Sequence, residues 1–269
     1  MSLGLYGHKK LRHKVTSNLL SLSHGIISIF ILGSAQFARA DEFRVMSPEP
    51  TPYENVQLNL HSHMFRTKNG TKANLPALTT NVGFLPNVQI HTLLPRLRLS
   101  VPKDGTSHYG YGDIHAGLKY RFIHEAQWCP QVAFFPIFSF PMGDSSKGLG
   151  NKTWTGRFPL WMQKEWGDWK LTLGGGYEIN PAKNHFNHLY GGILIRWQIT
   201  KNLLLGNEVF AEEPRSLNNK SYVLYNFGGH YNFTPHTSVL FSAGHSFYGA
   251  KRFVAYLGLT YTWGPPPPK

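Results

Sequence analysis

The residue types that could carry nucleophilic chemistry are two His and Ser pairs near the C-terminus. His245 and Ser246 are adjacent, so on a strand their side chains point to opposite faces and cannot contact each other directly. His236 and Ser238 could share a face, but no evident acidic residue orients the histidine as a general base. The sequence therefore favours a protein without enzymatic activity, and we assign no catalytic residue.

A second pair of chemically capable side chains is His61 and His63, whose spacing places both imidazoles on one face of a strand and could hold a metal ion. No third ligand follows at a fixed offset, so we interpret them as structural histidines or as histidines facing an interior. Cys129 is the only cysteine, which excludes a disulfide framework and a zinc-finger pattern. We expect neither a metal ion nor another cofactor.

Charged residues form the third set, and they alternate with apolar residues along several stretches. Within 110–123, for example, Lys119 and Arg121 have one parity whereas Leu118 and Tyr120 have the other. Side chains alternate between the faces of a strand, so the charges share one face and the apolar groups share the other. If the charged face lines the interior of a barrel, the inward charged residues are Arg96, Arg98, Asp113, Lys119, Arg121, Arg157, Glu165, Lys170, Glu178, Arg196 and Glu208.

Two interpretations of such an interior remain open. An excess of fixed positive charge along a water-filled lumen lowers the entry barrier for anions, which would make the interior a polar channel with a mild anion preference. Alternatively, the charges pair into a structural network that partly fills the barrel. In both cases the charged groups must face water or a partner and not lipid.

The elements that would position these side chains are twelve strands joined by alternating short and longer connections. Pro86–Asn87 and Gly167–Asp168 are short, whereas 67–75 and 143–152 are longer. Outer-membrane barrels have even strand counts, short periplasmic turns and longer outer loops, and a soluble sandwich has no reason to sort its loops in this way. We therefore predict an all-β fold, a 12-stranded antiparallel transmembrane β-barrel of the bacterial outer membrane. The predicted strands are 55–66, 76–85, 88–100, 110–123, 130–142, 153–166, 169–180, 188–200, 202–212, 221–233, 237–248 and 252–263.

One predicted strand, 88–100, changes phase near Leu94–Pro95, because Val88 and Ile90 share parity with Arg96 and Arg98. A bulge at that point would keep the apolar residues outside and the arginines inside.

Tryptophans support the membrane interpretation. Five of the seven fall near predicted periplasmic strand ends, and tryptophan favours the membrane–water interface because its ring is amphipathic. We expect them to form an interface girdle that contacts outer-membrane lipid. These residues are Trp128, Trp166, Trp169, Trp197 and Trp263.

The N-terminus has the pattern of a secretory signal peptide. Basic residues from Lys9 to Lys14 precede a short apolar core at 26–32, and Ala38-Arg39-Ala40 forms a small-x-small cleavage site. We predict a signal peptide at 1–40, an irregular lead-in at 41–54, the barrel at 55–264 and a Pro-rich tail at 265–269. The mature protein would reach the outer membrane after export through the inner membrane.

Composition excludes other classes of protein. Mean hydropathy is −0.28, and no run of about 20 apolar residues follows the N-terminal region, so helical membrane spans are excluded. The chain is basic, but five of its 27 Lys and Arg lie in the first 40 residues, which contain none of the acidic ones. No basic cluster survives beyond them, so we predict no nucleic-acid partner.

The last predicted strand resembles the C-terminal sorting signal of bacterial outer-membrane barrels, which is a polar residue or tyrosine followed by x-Gly-x-x-aromatic-x-aromatic. Tyr256, Gly258, Tyr261 and Trp263 fill that pattern. The resemblance implies recognition by the barrel assembly machinery. Such chains usually end on the aromatic residue, whereas this one continues through four prolines to Lys269.

Three stretches resemble one family of outer-membrane barrels. They are Gly112–Phe122, the Pro-rich strand 130–142 that ends in Phe-Pro-Met-Gly-Asp, and the final Tyr-Leu-Gly-Leu-Thr-Tyr-Thr-Trp-Gly. The family is that of the phenol-degradation meta-pathway outer-membrane proteins, also called transporters, and the resemblance covers about 80–264. It implies a passive channel for small solutes, including aromatic ones, and the excess of inward positive charge adds anionic solutes to that expectation. The alternative is a structural or surface-interaction barrel with a filled lumen, and a lipid-modifying barrel enzyme is less favoured.

Overall fold

The computed structural model describes residues 42–265, so the predicted signal peptide and residues 266–269 of the tail lie outside the described residues. In the described part, fifteen strand segments form one closed antiparallel barrel of 12 strands. The segments are β1 Val56–Thr67, β2 Gly70–Leu85, β3 Val88–Leu93, β4 Leu97–Pro102, β5 His108–Tyr111, β6 Ile114–Ile123, β7 Gln131–Phe134, β8 Ile137–Phe140, β9 Thr155–Trp166, β10 Trp169–Ile179, β11 His188–Gln198, β12 Leu203–Glu212, β13 Tyr222–Asn232, β14 Thr237–Gly249 and β15 Arg252–Trp263.

Three of the barrel strands are each divided into two segments, namely β3 with β4, β5 with β6, and β7 with β8. The first and last strands close the barrel, because β1 pairs with β15 from Val56↔Trp263 to Thr67↔Arg252. Closure pairs the first strand with the last, which is the condition for strands to cross a lipid bilayer. The predicted fold class is confirmed.

The predicted change of phase, after which residues of the other parity face the interior, occurs at the interruption between β3 and β4. Leu93 is buried on the interior side of β3, and Leu94 and Pro95 are exposed. Arg96 and Arg98 then line the interior. Proline has no N–H to donate to a neighbouring strand, so the ladder is broken where Pro95 stands.

The connection after β1 differs from the prediction. The long loop expected at 67–75 is a tight turn of Lys68 and Asn69, and β2 begins at Gly70 instead of residue 76. Pro76 and the polar residues before it suggested a loop. Residues 70–74 nevertheless pair with β1 on one side and with β4 on the other, so the strand runs through the proline.

Apolar side chains cover the outside of the barrel. On β11, Leu189, Ile193 and Ile195 are exposed, whereas His188 and Leu194, which have the opposite parity, are buried. An exterior of exposed apolar groups around a polar interior is the reverse of a soluble barrel and matches the lipid-facing band of outer-membrane barrels. This protein is therefore an outer-membrane β-barrel. Residues 42–265 contain no helix that is long and apolar enough to cross a membrane.

Candidate functional site

The barrel interior contains a piece of the chain itself, residues 42–55, which we call the N-terminal segment. Val45 is fully buried, and Phe43 and Val45 join one apolar cluster with the inward side chains Leu194 and Phe210. The wall has room for them because it carries glycine there. A Cβ on Gly206 would lie 2.9 Å from the Phe43 ring.

Glu208 on β12 holds the start of this segment. Its Oε1 accepts hydrogen bonds from the backbone N–H groups of Arg44, at 2.6 Å, and Val45, at 2.5 Å. Its Oε2 accepts a bond from Asn226 Nδ2 at 3.1 Å. The Ser242 hydroxyl donates to the carbonyl of Glu42 at 2.7 Å. Backbone groups that are buried away from water need such partners, so these side chains define the path of the segment.

A second group of contacts holds the part of the segment nearer to β1. Lys119 Nζ donates to the carbonyl of Ser47 at 2.8 Å, and Gln131 and Gln163 donate to the Glu49 carboxylate at 3.2 and 3.4 Å. The backbone N–H of Thr51 donates to Gln89 Oε1 at 2.7 Å. The segment is thus fixed to the wall along its length, and it narrows the lumen.

A cavity of about 700 Å³ occupies the interior beside the N-terminal segment. We call the end of the barrel where β1 begins and β15 ends the terminal end, and the opposite end the outer end. Phe43, Arg44 and Met46 of the segment line the cavity on one side, and Thr67 and Pro102 at strand ends line it at the outer end. The size is typical of a site for a small organic molecule.

One wall of the cavity, formed by β9, β10, β11 and β12, carries charges that form ion pairs with one another. Arg157 forms an ion pair with Glu178 at 2.6 Å, and Glu212 pairs with both Arg44 and Arg215. His188 lies between the two carboxylates, 3.8 Å from Glu178 and 3.6 Å from Glu212. The three arginines of these ion pairs face two carboxylates, which leaves one positive charge in excess on this side of the cavity.

The wall formed by β2 and by β4 with the preceding Arg96, which we call the β2 and β4 wall, is different. Within residues 42–265, Lys72, Arg96 and Arg98 form no ion pair. Arg96 Nη1 lies 3.1 Å from His115 Nε2, and Arg98 Nη1 donates to the carbonyl of Leu149 at 3.3 Å.

Asp113 acts electrostatically on both arginines of that wall, but its oxygens are engaged elsewhere. They accept bonds from the backbone N–H groups of Met142 and Gly143, both at 3.1 Å, and of Asn151 at 2.8 Å. Asp113 thereby fastens the outer loop 141–154 to the barrel. In that loop, a hydrogen bond from the Ser146 hydroxyl lowers the pKa of Asp144 to about 2, and Lys147 pairs with it at 3.1 Å.

The remaining predicted interior charges lie toward the terminal end, around Glu49. Lys170 forms an ion pair with Glu165 at 2.6 Å, and both residues interact electrostatically with Glu49. Arg196 Nη2 donates to Gln163 Oε1 at 2.5 Å. Arg121 donates to Gln131 Oε1 at 3.1 Å and to Asn87 Oδ1. The N-terminal segment therefore supplies a carboxylate to a part of the wall that is rich in cations.

The predicted girdle tryptophans are all exposed, and they lie at strand ends or connections of the terminal end. Trp169 and Trp197 stack with ring centroids 5.2 Å apart. Of the predicted assembly-signal residues, Tyr256 and Gly258 are buried, and the Tyr256 hydroxyl accepts a bond from Asn59 at 2.6 Å. Tyr261 and Trp263 are exposed and touch each other, with ring centroids 4.5 Å apart.

The residues weighed for catalysis do not come together. His236 Nδ1 lies 2.9 Å from the carbonyl of Thr262, whereas the Ser238 hydroxyl donates to Asn232. The Ser246 hydroxyl accepts a bond from the backbone of Arg252.

The weighed metal pair, His61 and His63, instead lies against aromatic rings. His61 stacks on Tyr256 at 5.3 Å, and His63 contacts Phe65 at 4.0 Å. No group of three or more His, Cys, Asp or Glu in the described chain is arranged to hold a metal ion.

Sequence reasoning predicted an irregular lead-in at 41–54 but did not predict that it enters the lumen, and it missed the inward charges Lys72, Arg215 and Glu212. A signal for the segment existed in its three prolines at 48, 50 and 52. Proline fixes φ and removes a backbone donor, which suits an extended chain that has no strand partner.

Comparison with known proteins agrees with this architecture. A family model described as "Putative MetA-pathway of phenol degradation" matches residues 51–263. An outer membrane channel from Pseudomonas putida F1 is 13% identical with a TM-score of 0.65, and the match covers 84% of this chain and 100% of that one. The KdgM porin in complex with disordered oligogalacturonate is 11% identical with a TM-score of 0.52, over 77% and 99% of the two chains. The NanC porin is 8% identical with a TM-score of 0.54, over 76% and 98%. At these identities the likeness shows the fold. No curated protein matches the chain.

Proposed function

We propose that this chain, which belongs to the family described as the Putative MetA-pathway of phenol degradation, is an outer-membrane channel that passes small solutes by passive diffusion. It would favour anions, and aromatic compounds fall within its size range. The barrels of similar fold named above are a channel and two porins, one of them solved in complex with oligogalacturonate.

The observation that carries this proposal is the cavity of about 700 Å³, which extends from the outer end of the barrel to the N-terminal segment. Its wall on β2 and β4 carries Lys72, Arg96 and Arg98 without acidic partners among the described residues. Fixed positive charge beside water lowers the entry barrier for anions. A solute that enters from the outer end would meet this charge before it reaches the segment.

Orientation in the membrane follows from the connections. The longest ones, 141–154 and 213–221, are at the outer end, and outer-membrane barrels place their longer loops outside and short turns in the periplasm. The terminal end would thus face the periplasm after removal of residues 1–40. Tyr256, Gly258, Tyr261 and Trp263 would be read by the barrel assembly machinery during insertion.

Single-channel recording in planar bilayers tests the channel proposal. Because the N-terminal segment narrows the lumen, we expect small but resolved conductance steps in the purified, unmodified protein. A protein that inserts in the bilayer and gives no steps above background would contradict the proposal.

A second candidate is a structural or surface-interaction barrel with a filled lumen. The observation in its favour is the same segment, which is held by Glu208, Lys119 and Gln89 through buried hydrogen bonds. A silent protein that binds cells or surfaces through its outer loops would support this candidate. In both cases we retain the prediction that the protein is not an enzyme.

A further inference from the structure

We propose that Lys72, Arg96 and Arg98 form a binding site for the carboxylate of a small organic anion with a flat apolar body. Such a site would determine which class of solute the proposed channel binds, so this proposal rests on that proposed function. It lies in the part of the cavity nearest the outer loop 141–154.

The three cations are neighbours because of strand register. Asn74 of β2 pairs with Arg98 of β4, and Lys72 pairs with Ser100, two residues farther along. Arg96, two residues before Arg98, lies on the same side of the chain, and all three line one cavity. A Cβ on Gly148 of the outer loop would lie 2.8 Å from Ser100 Oγ and 3.6 Å from Lys72 Nζ, so the ammonium group sits under that loop.

Three cations lie near the carboxylate of Asp113, which acts electrostatically on both arginines, so a net positive charge remains at this group within residues 42–265. None of the three residues takes part in an ion pair there. The oxygens of Asp113 accept hydrogen bonds from backbone N–H groups of the outer loop instead. Arg157, the next arginine along this cavity, is by contrast neutralised by Glu178.

Arg96 and Arg98 also have N–H donors that form no hydrogen bond. Arg96 is 8% exposed, and the buried Nε atoms of Arg96 and Arg98 have no hydrogen-bond partner. Guanidinium carries five N–H donors, and a buried donor without a partner costs free energy. A carboxylate matches the guanidinium fork and would accept two of these N–H groups at once.

The rest of the cavity favours a ligand whose remaining part is planar and apolar. Its lining includes two ring pairs, His61 stacked on Tyr256 at 5.3 Å and His91 edge-on to Phe135 at 5.4 Å. Flat rings of this kind contact the faces or edges of another planar apolar group favourably. Inorganic phosphate offers the same oxyanion chemistry to the arginines but has no body to fill this space.

Calorimetric titration of the detergent-solubilised mature protein tests the site without relying on conduction. The probes are benzoate, acetate, inorganic phosphate and benzyl alcohol. We expect benzoate to bind more tightly than acetate or phosphate, and benzyl alcohol not to bind measurably. The double variant Arg96→Gln with Arg98→Gln should weaken benzoate binding on the order of tenfold to a hundredfold, and Lys72→Gln should weaken it less.

Arg66→Gln is the matched control. Arg66 lies on β1 at the same end of the barrel, is exposed, and does not line the cavity. Heat-modifiable gel migration identifies variants that have folded. Equal benzoate affinity in the folded double variant and in the control overturns the site, and equal affinity for benzoate and phosphate overturns the apolar part of the proposal. Benzoate binding that depends on Arg96 and Arg98 in a protein without conductance upholds the site and contradicts only the channel function.

Discussion

At the scale of single residues, Glu208 links the wall to the N-terminal segment, because one carboxylate oxygen accepts two backbone N–H groups of that segment. In Glu208→Ala both donors lose their partner, and each buried unsatisfied donor costs about 1–3 kcal/mol. We expect the segment to leave the lumen for part of the time. Arg44, which is largely enclosed in the folded protein, should then become a site for trypsin.

Limited trypsin digestion of the folded, reconstituted barrel measures this release, with N-terminal sequencing to identify cleavage after Arg44. Glu208→Gln is the control, since its amide oxygen can still accept hydrogen bonds, and it should be cleaved more slowly than Glu208→Ala. Cleavage at the same rate in the unmodified protein and in Glu208→Ala would show that Glu208 does not hold the segment.

Sequence alone predicts much of the interior at this scale, because a strand alternates its side chains with a period of two. That period placed Lys119, Lys170 and Glu178 on the same side of the wall as the lumen. It could not predict their partners. The pair Arg157–Glu178 depends on the register between β9 and β10, and the partners of Lys119 are carbonyls of a segment that has no periodic pattern.

At the scale of elements, the outward face of β11 offers a test of lipid contact. Ile195 is 45% exposed on that face, and an arginine on a lipid-facing strand near the bilayer centre costs about 2–4 kcal/mol. We expect Ile195→Arg to impair barrel assembly, whereas Ile195→Phe keeps an apolar group and should assemble normally. The fraction of heat-modifiable protein in outer-membrane preparations measures assembly, and equal fractions for the two variants would contradict the lipid-facing assignment.

The N-terminal segment is the element that most limits the lumen, so its removal should enlarge the path. Deletion of residues 43–52 removes Phe43, Val45 and Glu49 from the interior and leaves every strand of the barrel intact. We expect single-channel conductance to rise severalfold over the unmodified protein. Replacement of residues 43–52 by a Gly/Ser sequence of equal length is the control, because it keeps a chain in the lumen without the side chains that bind the wall. This variant should give intermediate or fluctuating conductance. Unchanged conductance after the deletion would mean that the segment does not obstruct the path.

Strands could be predicted from the sequence and this segment could not, for a physical reason. A strand such as 252–263, whose bounds the structure reproduces at both ends, alternates because lipid and lumen demand different side chains. The beginning of β2 was missed because Pro76 resembles a loop signal, whereas pairing on both sides keeps residues 70–74 in the sheet. The path of residues 42–55 is set by contacts with distant residues, such as Glu208 and Asn226, which no local pattern records.

At the scale of the whole molecule, charge is divided between the two ends of the interior. Toward the terminal end, the acidic Glu49 and Glu165 lie among Lys170, Arg121 and Arg196. On the β2 and β4 wall, Arg96 and Arg98 have no ion-pair partner in the described chain. An ion that crosses the barrel would therefore meet, on that wall, positive charge that is not held in ion pairs.

This distribution predicts a weak anion preference that depends on Arg96 and Arg98. Reversal potentials in a salt gradient should show that anions permeate the unmodified protein more readily than cations. The double variant Arg96→Glu with Arg98→Glu should reduce or reverse that preference. Salt screens fixed charge over a Debye length of about 10 Å at 0.1 M and about 3 Å at 1 M, so the preference should shrink as salt rises. Arg66→Glu places a negative charge on the outer face at the same end of the barrel, and it should change selectivity far less. Cation preference in the unmodified protein, or an equal shift in both variants, would show that the charge on the β2 and β4 wall does not govern which ions pass.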